Sequence, residues 1–404
     1  MRVDIFCRVV DNFGDIGVCW RLARQLAHEH DCRVRLWVDD LDSFRRLEPD
    51  IQAHLPRQCL GTIEVVAWDV PAATLIPGAY QSADHANSPR RDLGPAGNQT
   101  ALPDVVIEGF GCNPPEAYIV ALRHVGHQPT WINLEYLSAE AWVDDCHLRV
   151  SALPDGGRKF FFFPGFRPST GGLLRERDLI CARDTVQSSL QKQAAGLTSI
   201  GLPALAMAKL GGDPVVLLFC YPQAPTSVML HALHHAWCTP RTPLSARAVH
   251  IAVPEGVAVH LEGQAASFPG IHIHRIPFMR QPDFDTLLWC TDLNIVRGED
   301  SFVRAIWAGR PMIWNIYPQA DAVHLDKLFA WLDHIDAAED LRVIMREFNT
   351  PTSETQTALS AALTKILQAP AWSAWCAQAR LQSSVQCAQA SLAENLIAFC
   401  RKSQ

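Results

Sequence analysis

Residues 291–305 read TDLNIVRGEDSFVRA, and the way this stretch divides decides the fold. Residues 292–296 make the short apolar run of a buried strand, and Phe302, Ala305, Ile306 and Trp307 fall into helical spacing directly after it. Between them lies Arg297-Gly298-Glu299-Asp300-Ser301. Gly298 permits a sharp backbone turn, and Asp300 or Ser301 can cap the helix that follows. A helix opening at the carboxyl end of a strand aims free N–H groups into the crevice there, where anions are the favoured occupants. Arg297 adds a fixed positive charge. Glu299 is the odd member, since a carboxylate beside phosphate repels it unless it faces a sugar hydroxyl or a cation. The turn reads as a seat for a sugar nucleotide.

The same alternation extends on both sides. Strands are expected at 215–221, 248–253, 271–276, 293–296 and 312–316, with helices from about 226, 284, 301 and 320. From 336 the chain is mostly helical, through 359–367 and 372–399. The first half opens as βαβ, with a strand over 3–10, a helix over 16–30 and a strand over 33–38, followed by strands near 63–66, 105–108 and 130–133. Two α/β halves with a helical tail are what two facing Rossmann-like domains require, with a deep cleft between them as the natural ligand site. We assign 1–200 to an N-terminal acceptor-binding domain, 201–385 to a nucleotide-sugar-binding domain and 386–404 to a helix crossing back. The polar stretch 81–100, rich in Ala, Pro, Gly, Asn and Ser, reads as a mobile loop. Residues 160–166, FFFFPGF, read either as core packing or as a loop reaching across the cleft.

Composition narrows the function. The 404 residues exceed one ordinary core, and 48% hydrophobic with 19% charged residues mark a globular chain. A net charge of -7 argues against a general grip on nucleic acid. The 13 cysteines are scattered, with no C-x-x-C pair, and no run reaches the ~18 apolar residues of a membrane span. With an N-terminus that goes straight into a strand, the expectation is a soluble cytoplasmic protein.

The loop after the first strand, Asp11-Asn12-Phe13-Gly14-Asp15-Ile16-Gly17, carries two carboxylates four residues apart and lacks G-x-G-x-x-G. An acidic loop repels phosphate, so Asp11 and Asp15 read as facing a neutral or cationic substrate; the plainer alternative is that one of them caps the helix from Ile16. Gly14 and Gly17 leave the backbone of this loop unhindered. His231, His234 and His235 have helical spacing but no carboxylate motif beside them, and read as surface or packing residues. No metal site is expected.

Several separate words carry a family resemblance. Asp4-Ile5-Phe6-Cys7, the acidic loop through Val18, Trp20-Arg21-Leu22-Ala23-Arg24, Leu36-Trp37-Val38-Asp39-Asp40-Leu41, Phe163-Pro164-Gly165-Phe166, Gly171-Gly172-Leu173 and Arg297-Gly298-Glu299-Asp300-Ser301-Phe302 resemble the EarP family, GT-B protein-arginine rhamnosyltransferases that modify elongation factor P. The words occur in order across nearly the whole chain. The resemblance implies TDP-β-L-rhamnose as donor substrate, no cofactor, elongation factor P as partner and inversion at the sugar. It places nucleotide and pyrophosphate contacts on Tyr221, Gln281, Arg297, Asp300 and Ser301, and aromatic walls around the base on Phe219, Phe278 and Phe284. Asp15 resembles the general base with Asp11 as its partner, and Glu299 a residue orienting the sugar. Two other readings stay open: a sugar-nucleotide epimerase or small-molecule glycosyltransferase on the same fold, and a module that docks on a translation factor without chemistry.

Overall fold

The structure, a computed structural model, describes residues 1–11, 13–76, 102–153, 156–239, 247–352 and 356–403. The expected loop at 81–100 lies outside them. The chain divides into two units, the first made of Met1–Leu137, Trp142–Glu176 and Ala390–Gln404, the second of Ser138–Ala141 and Arg177–Gln389.

In the first unit the strands are β1 (Arg2–Cys7), β2 (Arg33–Val38), β3 (Arg57–Leu60), β4 (Ile63–Ala67), β5 (Val105–Gly109), β6 (Thr130–Leu134), β7 (Val150–Ala152) and β8 (Arg158–Phe162). They form one sheet in the order β3-β4-β2-β1-β5-β6-β8-β7, parallel except where β3 and β7 pair antiparallel at the two edges. Helices α1 (Gly14–Glu29), α2 (Leu41–Leu47), α3 (Glu116–His124) and α4 (Trp142–Cys146) connect them. Interior strands are buried at nearly every position, as parallel strands covered on both faces must be. The charged member of this buried run in β1 is Asp4, only 2% exposed. It survives there because Arg35 donates Nε and Nη2 to its two oxygens at 3.0 and 2.8 Å and the Tyr118 hydroxyl donates at 2.6 Å.

The four consecutive Phe residues serve core packing. The first three end β8, and Phe160 and Phe162 lie against Phe399 of α16 (Leu392–Ser403) with ring centroids 4.9 and 6.3 Å apart. The following loop is tied down inside its own unit: Gly171 N–H donates to the Phe163 carbonyl at 2.8 Å, Leu392 N–H to the Leu173 carbonyl at 2.9 Å, and Asn395 Nδ2 to the Gly171 carbonyl at 3.0 Å. Leu392, Ala393, Leu396, Ile397 and Cys400 join the core of β1, β2, β5 and α1.

The second unit contains α5 (Leu179–Gln187), α6 (Leu190–Ser199), α7 (Pro203–Gly211), β9 (Val215–Leu218), α8 (Thr226–Leu233), β10 (Val249–Pro254), α9 (Leu261–Ala265), β11 (Ile271–Ile276), α10 (Gln281–Cys290), β12 (Leu293–Arg297), α11 (Asp300–Ala308) and β13 (Met312–Asn315). Its all-parallel sheet runs β11-β10-β9-β12-β13. Helices α12 (Val323–His334), α13 (Glu339–Asn349), α14 (Gln356–Ile366) and α15 (Ala371–Cys387) complete it. The division after Glu176 lies earlier than the expected 200/201, because α5 and α6 pack on α10: Gln187 Nε2 donates to the Trp289 carbonyl at 3.0 Å and Cys290 Sγ to the Gln193 carbonyl at 3.3 Å. The helical stretch read over 372–399 is two helices, α15 and α16, the second starting at Leu392 where a separate helix was placed from 386. Ser391 and Glu394 form a capping box at the start of the second, with Ser391 N–H to Glu394 Oε2 at 2.6 Å and Glu394 N–H to Ser391 Oγ at 3.3 Å.

No disulfide joins any of the cysteines, and among the described residues no helix is long and apolar enough to cross a membrane. Helices α10 and α11 are clamped by a buried bidentate pair, Arg304 Nε and Nη2 on Asp285 Oδ1 and Oδ2 at 2.9 and 2.8 Å. Arg304 is 1% exposed, so losing Asp285 leaves a buried guanidinium without its bidentate carboxylate. Asp285→Ala should therefore cost about 3–5 kcal/mol of stability. Thermal and urea unfolding of the two proteins checks this, and an unchanged midpoint contradicts it.

Candidate functional site

The second sheet reverses its winding between β9 and β12, since β10 and β11 lie on one side of β9 and β12 and β13 on the other. At such a switch point two neighbouring strand ends open a crevice. The residues leaving β9 are Phe219, Cys220 and Tyr221, and those leaving β12 are Arg297 and the turn into α11. The Phe219 N–H bonds the Ile295 carbonyl at 2.8 Å, so the two ends leave side by side. Arg297 Cζ lies 4.5 Å from the Phe219 ring centroid and 4.9 Å from that of Tyr221, and Nη1 donates to the Cys220 carbonyl at 3.3 Å. Two aromatic faces thus hold the guanidinium at the strand ends.

Phe219 also meets Phe278 and Phe284 edge-on, at centroid distances of 6.3 and 5.9 Å. Gln281, at the start of α10, donates to Asp300 Oδ2 at 3.4 Å. All eight residues expected to contact a nucleotide sugar therefore fall within one connected neighbourhood of the second unit. Gly298 has φ of 64°, the left-handed turn expected for it. The capping expectation needs correction: α11 begins at Asp300 with Glu299 in the cap position and no side-chain cap bond, and the Ser301 hydroxyl donates back to the Arg297 carbonyl. One turn of chain is thereby closed on itself, with Asp300 in the first turn of the helix.

Residues that the sequence reading passed over brace this turn and the end of β9 beside it. Trp314 Nε1 donates to the Gly298 carbonyl at 2.8 Å, and its ring stacks on Phe302 with centroids 3.8 Å apart. Asn315, 1% exposed, accepts the Tyr221 N–H at 2.7 Å and donates to Asn349 at 3.1 Å. Both stand at the carboxyl end of β13, beside β12, and that position was the available signal.

The first sheet reverses between β1 and β5, and the acidic loop leaves β1 at that point. Phe13 occupies the cap position of α1, with no capping bond from its own side chain. Asp15 turns back, and its Oδ2 accepts the backbone N–H groups of Val10 and Asp11, both at 2.9 Å. Its Oδ1 accepts the Tyr136 hydroxyl at 3.1 Å. Asp15 is 3% exposed, and burial pushes its carboxyl above the ordinary aspartate range. The backbone bonds and the Tyr136 bond pull it back in part, while the Asp11 charge pushes it further up. Gly14 matters for room: a Cβ there would come within 2.8 Å of Asp11 Oδ2. Gly17 sits buried inside α1. The result is an acidic pocket edge whose inner carboxylate resists ionisation more than a surface aspartate does.

His231 and His235 stack with centroids 6.4 Å apart, and His231 and His234 lie against Phe268, a packing arrangement. Among the described residues no group of three or more His, Cys, Asp or Glu is placed to hold a metal.

A family model described as Elongation-Factor P (EF-P) rhamnosyltransferase EarP matches residues 3–401. The chain belongs to this family. It is 42% identical over 365 residues to a protein-arginine rhamnosyltransferase of Pseudomonas aeruginosa, covering 86% of each chain. With a protein-arginine rhamnosyltransferase of Pseudomonas putida it shares 40% identity over 418 aligned positions, covering 99% of this chain and 98% of the relative. It is also similar to a solved structure reported as "Structural basis for EarP-mediated arginine glycosylation of translation elongation factor EF-P", with a TM-score of 0.58, 28% identity and coverage of 100% of this chain and 99% of that one. The protein is thus a glycosyltransferase of the GT-B fold that rhamnosylates arginine. Membership in the family selects this among the readings that the sequence left open.

The turn at Gly298 generates a stability test. Gly298→Ala forces a Cβ into a left-handed backbone and should cost about 1–2 kcal/mol. Gly263, inside α9 with open space around its Cα, is the control: Ala there should gain about 1 kcal/mol. Denaturant unfolding of both variants should give opposite signs, and equal shifts contradict the strain at Gly298.

Proposed function

We propose that the protein is an inverting, cytoplasmic transferase that moves L-rhamnose from TDP-β-L-rhamnose to an arginine side chain of elongation factor P, activating that translation factor. The observation that carries the reading is the pair of hydrogen-bonded strand-end sites of opposite character within a chain of this family: a carboxylate loop suited to a cationic acceptor in the first unit, and an arginine beside aromatic rings, suited to a nucleotide diphosphate, in the second.

A guanidinium is protonated at neutral pH and is a poor nucleophile, and no carboxylate removes its proton outright before reaction. Asp11 and Asp15 bind it and align one nitrogen with the anomeric carbon. As the C–N bond forms, the bond from the anomeric carbon to the diphosphate oxygen breaks on the opposite face, so a β-linked donor yields an α-linked product. The attacking nitrogen loses its proton late, to Asp15, whose raised pKa makes it a better base than a surface aspartate. TDP departs with the bonding electrons. Its growing charge is met by Arg297, Tyr221 and the N–H groups opening α11, with Asp300, Ser301 and Gln281 fixing the turn and the nucleotide. Phe219, Phe278 and Phe284 wall the base, and Glu299 orients the sugar through its hydroxyls.

Incubation with TDP-rhamnose and purified elongation factor P should add one deoxyhexose to the acceptor, read by intact mass. No shift with folded protein would sink the proposal. Asp15→Asn should abolish transfer while TDP binding by calorimetry is kept. Arg297→Gln should do the reverse first, weakening TDP binding by roughly tenfold or more, because it removes a charge-assisted contact to phosphate. If Arg297→Gln leaves TDP binding unaltered, the donor assignment is wrong.

A further inference from the structure

Tyr136 follows β6, the strand next but one to β1, and its hydroxyl is 3.1 Å from Asp15 Oδ1. Its ring stacks on Phe110, with centroids 4.3 Å apart and planes 16° from parallel. Phe110 is itself held in an unusual way. It sits at φ of 58° between Gly109 and Gly111, a left-handed conformation that a bulky residue keeps only when its surroundings impose it. The Phe110 N–H donates to the Leu134 carbonyl at 2.6 Å, and the Gly111 N–H donates to Asn133 Oδ1 at 2.9 Å. Asn133, 4% exposed, in turn donates to Glu135 at 2.6 Å. The loop after β5 and the end of β6 are thus braced together, and the product of the bracing is one ring platform beneath one phenol.

The carboxylate receives its bonds unequally. Oδ2 of Asp15 takes both backbone N–H groups, which fills its two lone pairs. Oδ1 takes the Tyr136 hydroxyl and keeps capacity for one further donor. We propose that Tyr136 is a positioning residue for the transfer: its hydroxyl, set by the Phe110 stack, fixes the plane of the Asp15 carboxylate so that the second lone pair of Oδ1 meets the acceptor guanidinium. The backbone bonds alone hold one oxygen and leave the plane free to rotate about it. With Tyr136 in place both oxygens are fixed, and the orientation required for late proton transfer is set before the acceptor arrives.

This inference rests on Asp15 as the proton acceptor, and the test separates the two. Tyr136→Phe keeps the ring and its stack on Phe110 and removes only the hydroxyl, while Tyr136→Ala removes both. Transfer from TDP-rhamnose to elongation factor P is followed across pH for each, with TDP affinity measured alongside. Tyr136→Phe should lower kcat roughly tenfold or more with TDP affinity unchanged. The acid limb of its rate profile should move to higher pH, because the hydroxyl bond favours the charged carboxylate and its loss raises the pKa of Asp15. A wild-type kcat and acid limb in Tyr136→Phe, with loss confined to Tyr136→Ala, overturns the proposal, since packing alone would then explain the residue. Transfer that survives Asp15→Asn overturns it from beneath by removing the base assignment.

Discussion

Parallel strands place all their carboxyl ends on one edge, and a change in winding direction leaves a gap between two of those ends that no connecting helix fills. Nearly everything chemical in this protein follows from that constraint. The gap between β1 and β5 is where the loop bearing Asp11 and Asp15 emerges, and the gap between β9 and β12 is where Tyr221 and Arg297 emerge. Neither location needs a long or elaborate loop. The turn from Arg297 to Asp300 is held by the indole of Trp314, and the neighbouring end of β9 at Tyr221 by the buried amide of Asn315, both at the end of the next strand.

The two gaps differ in what the backbone offers. At the second, a helix begins and Arg297 brings a positive charge to the strand ends, held against the rings of Phe219 and Tyr221. At the first, two backbone N–H groups that face the loop are consumed internally by Asp15, so the loop presents carboxylate and not amide. That single internal use of donors converts a geometry usually suited to anions into one suited to cations. In the proposed reaction the basic acceptor side chain belongs to the first of these gaps and the departing diphosphate to the second.

Much of this was legible before any coordinates. The alternation of apolar runs and helical spacing gave the parallel strands of both sheets but not the edge strands β3 and β7, and the residues that the family resemblance named for donor contact gather in one place at or near strand ends and helix starts. The cap of α11 was misplaced, because a hydroxyl two residues into a helix competes for the preceding carbonyl as readily as for an N–H. The division between the units was placed too late, since α5 and α6 are polar enough to read as a connection although one face of them lies on α10. The last helix was placed from 386 and begins at Leu392, behind the capping pair in Ser391-Leu392-Ala393-Glu394. Tyr136 and Phe110 could not be found by periodicity, because their relation depends on β5 and β6 being neighbours and on a left-handed residue between two glycines.

The helix α16 has a consequence for how the chain comes into being. Its apolar face fills the core beneath β1, β2 and α1, elements translated some 350 residues earlier. On the ribosome, Arg177–Gln389 is complete and can close its own sheet while the first unit still lacks a wall. The unit that holds β1 therefore waits on α16, and until that helix is made the nascent chain carries an open apolar surface that chaperones are suited to shield.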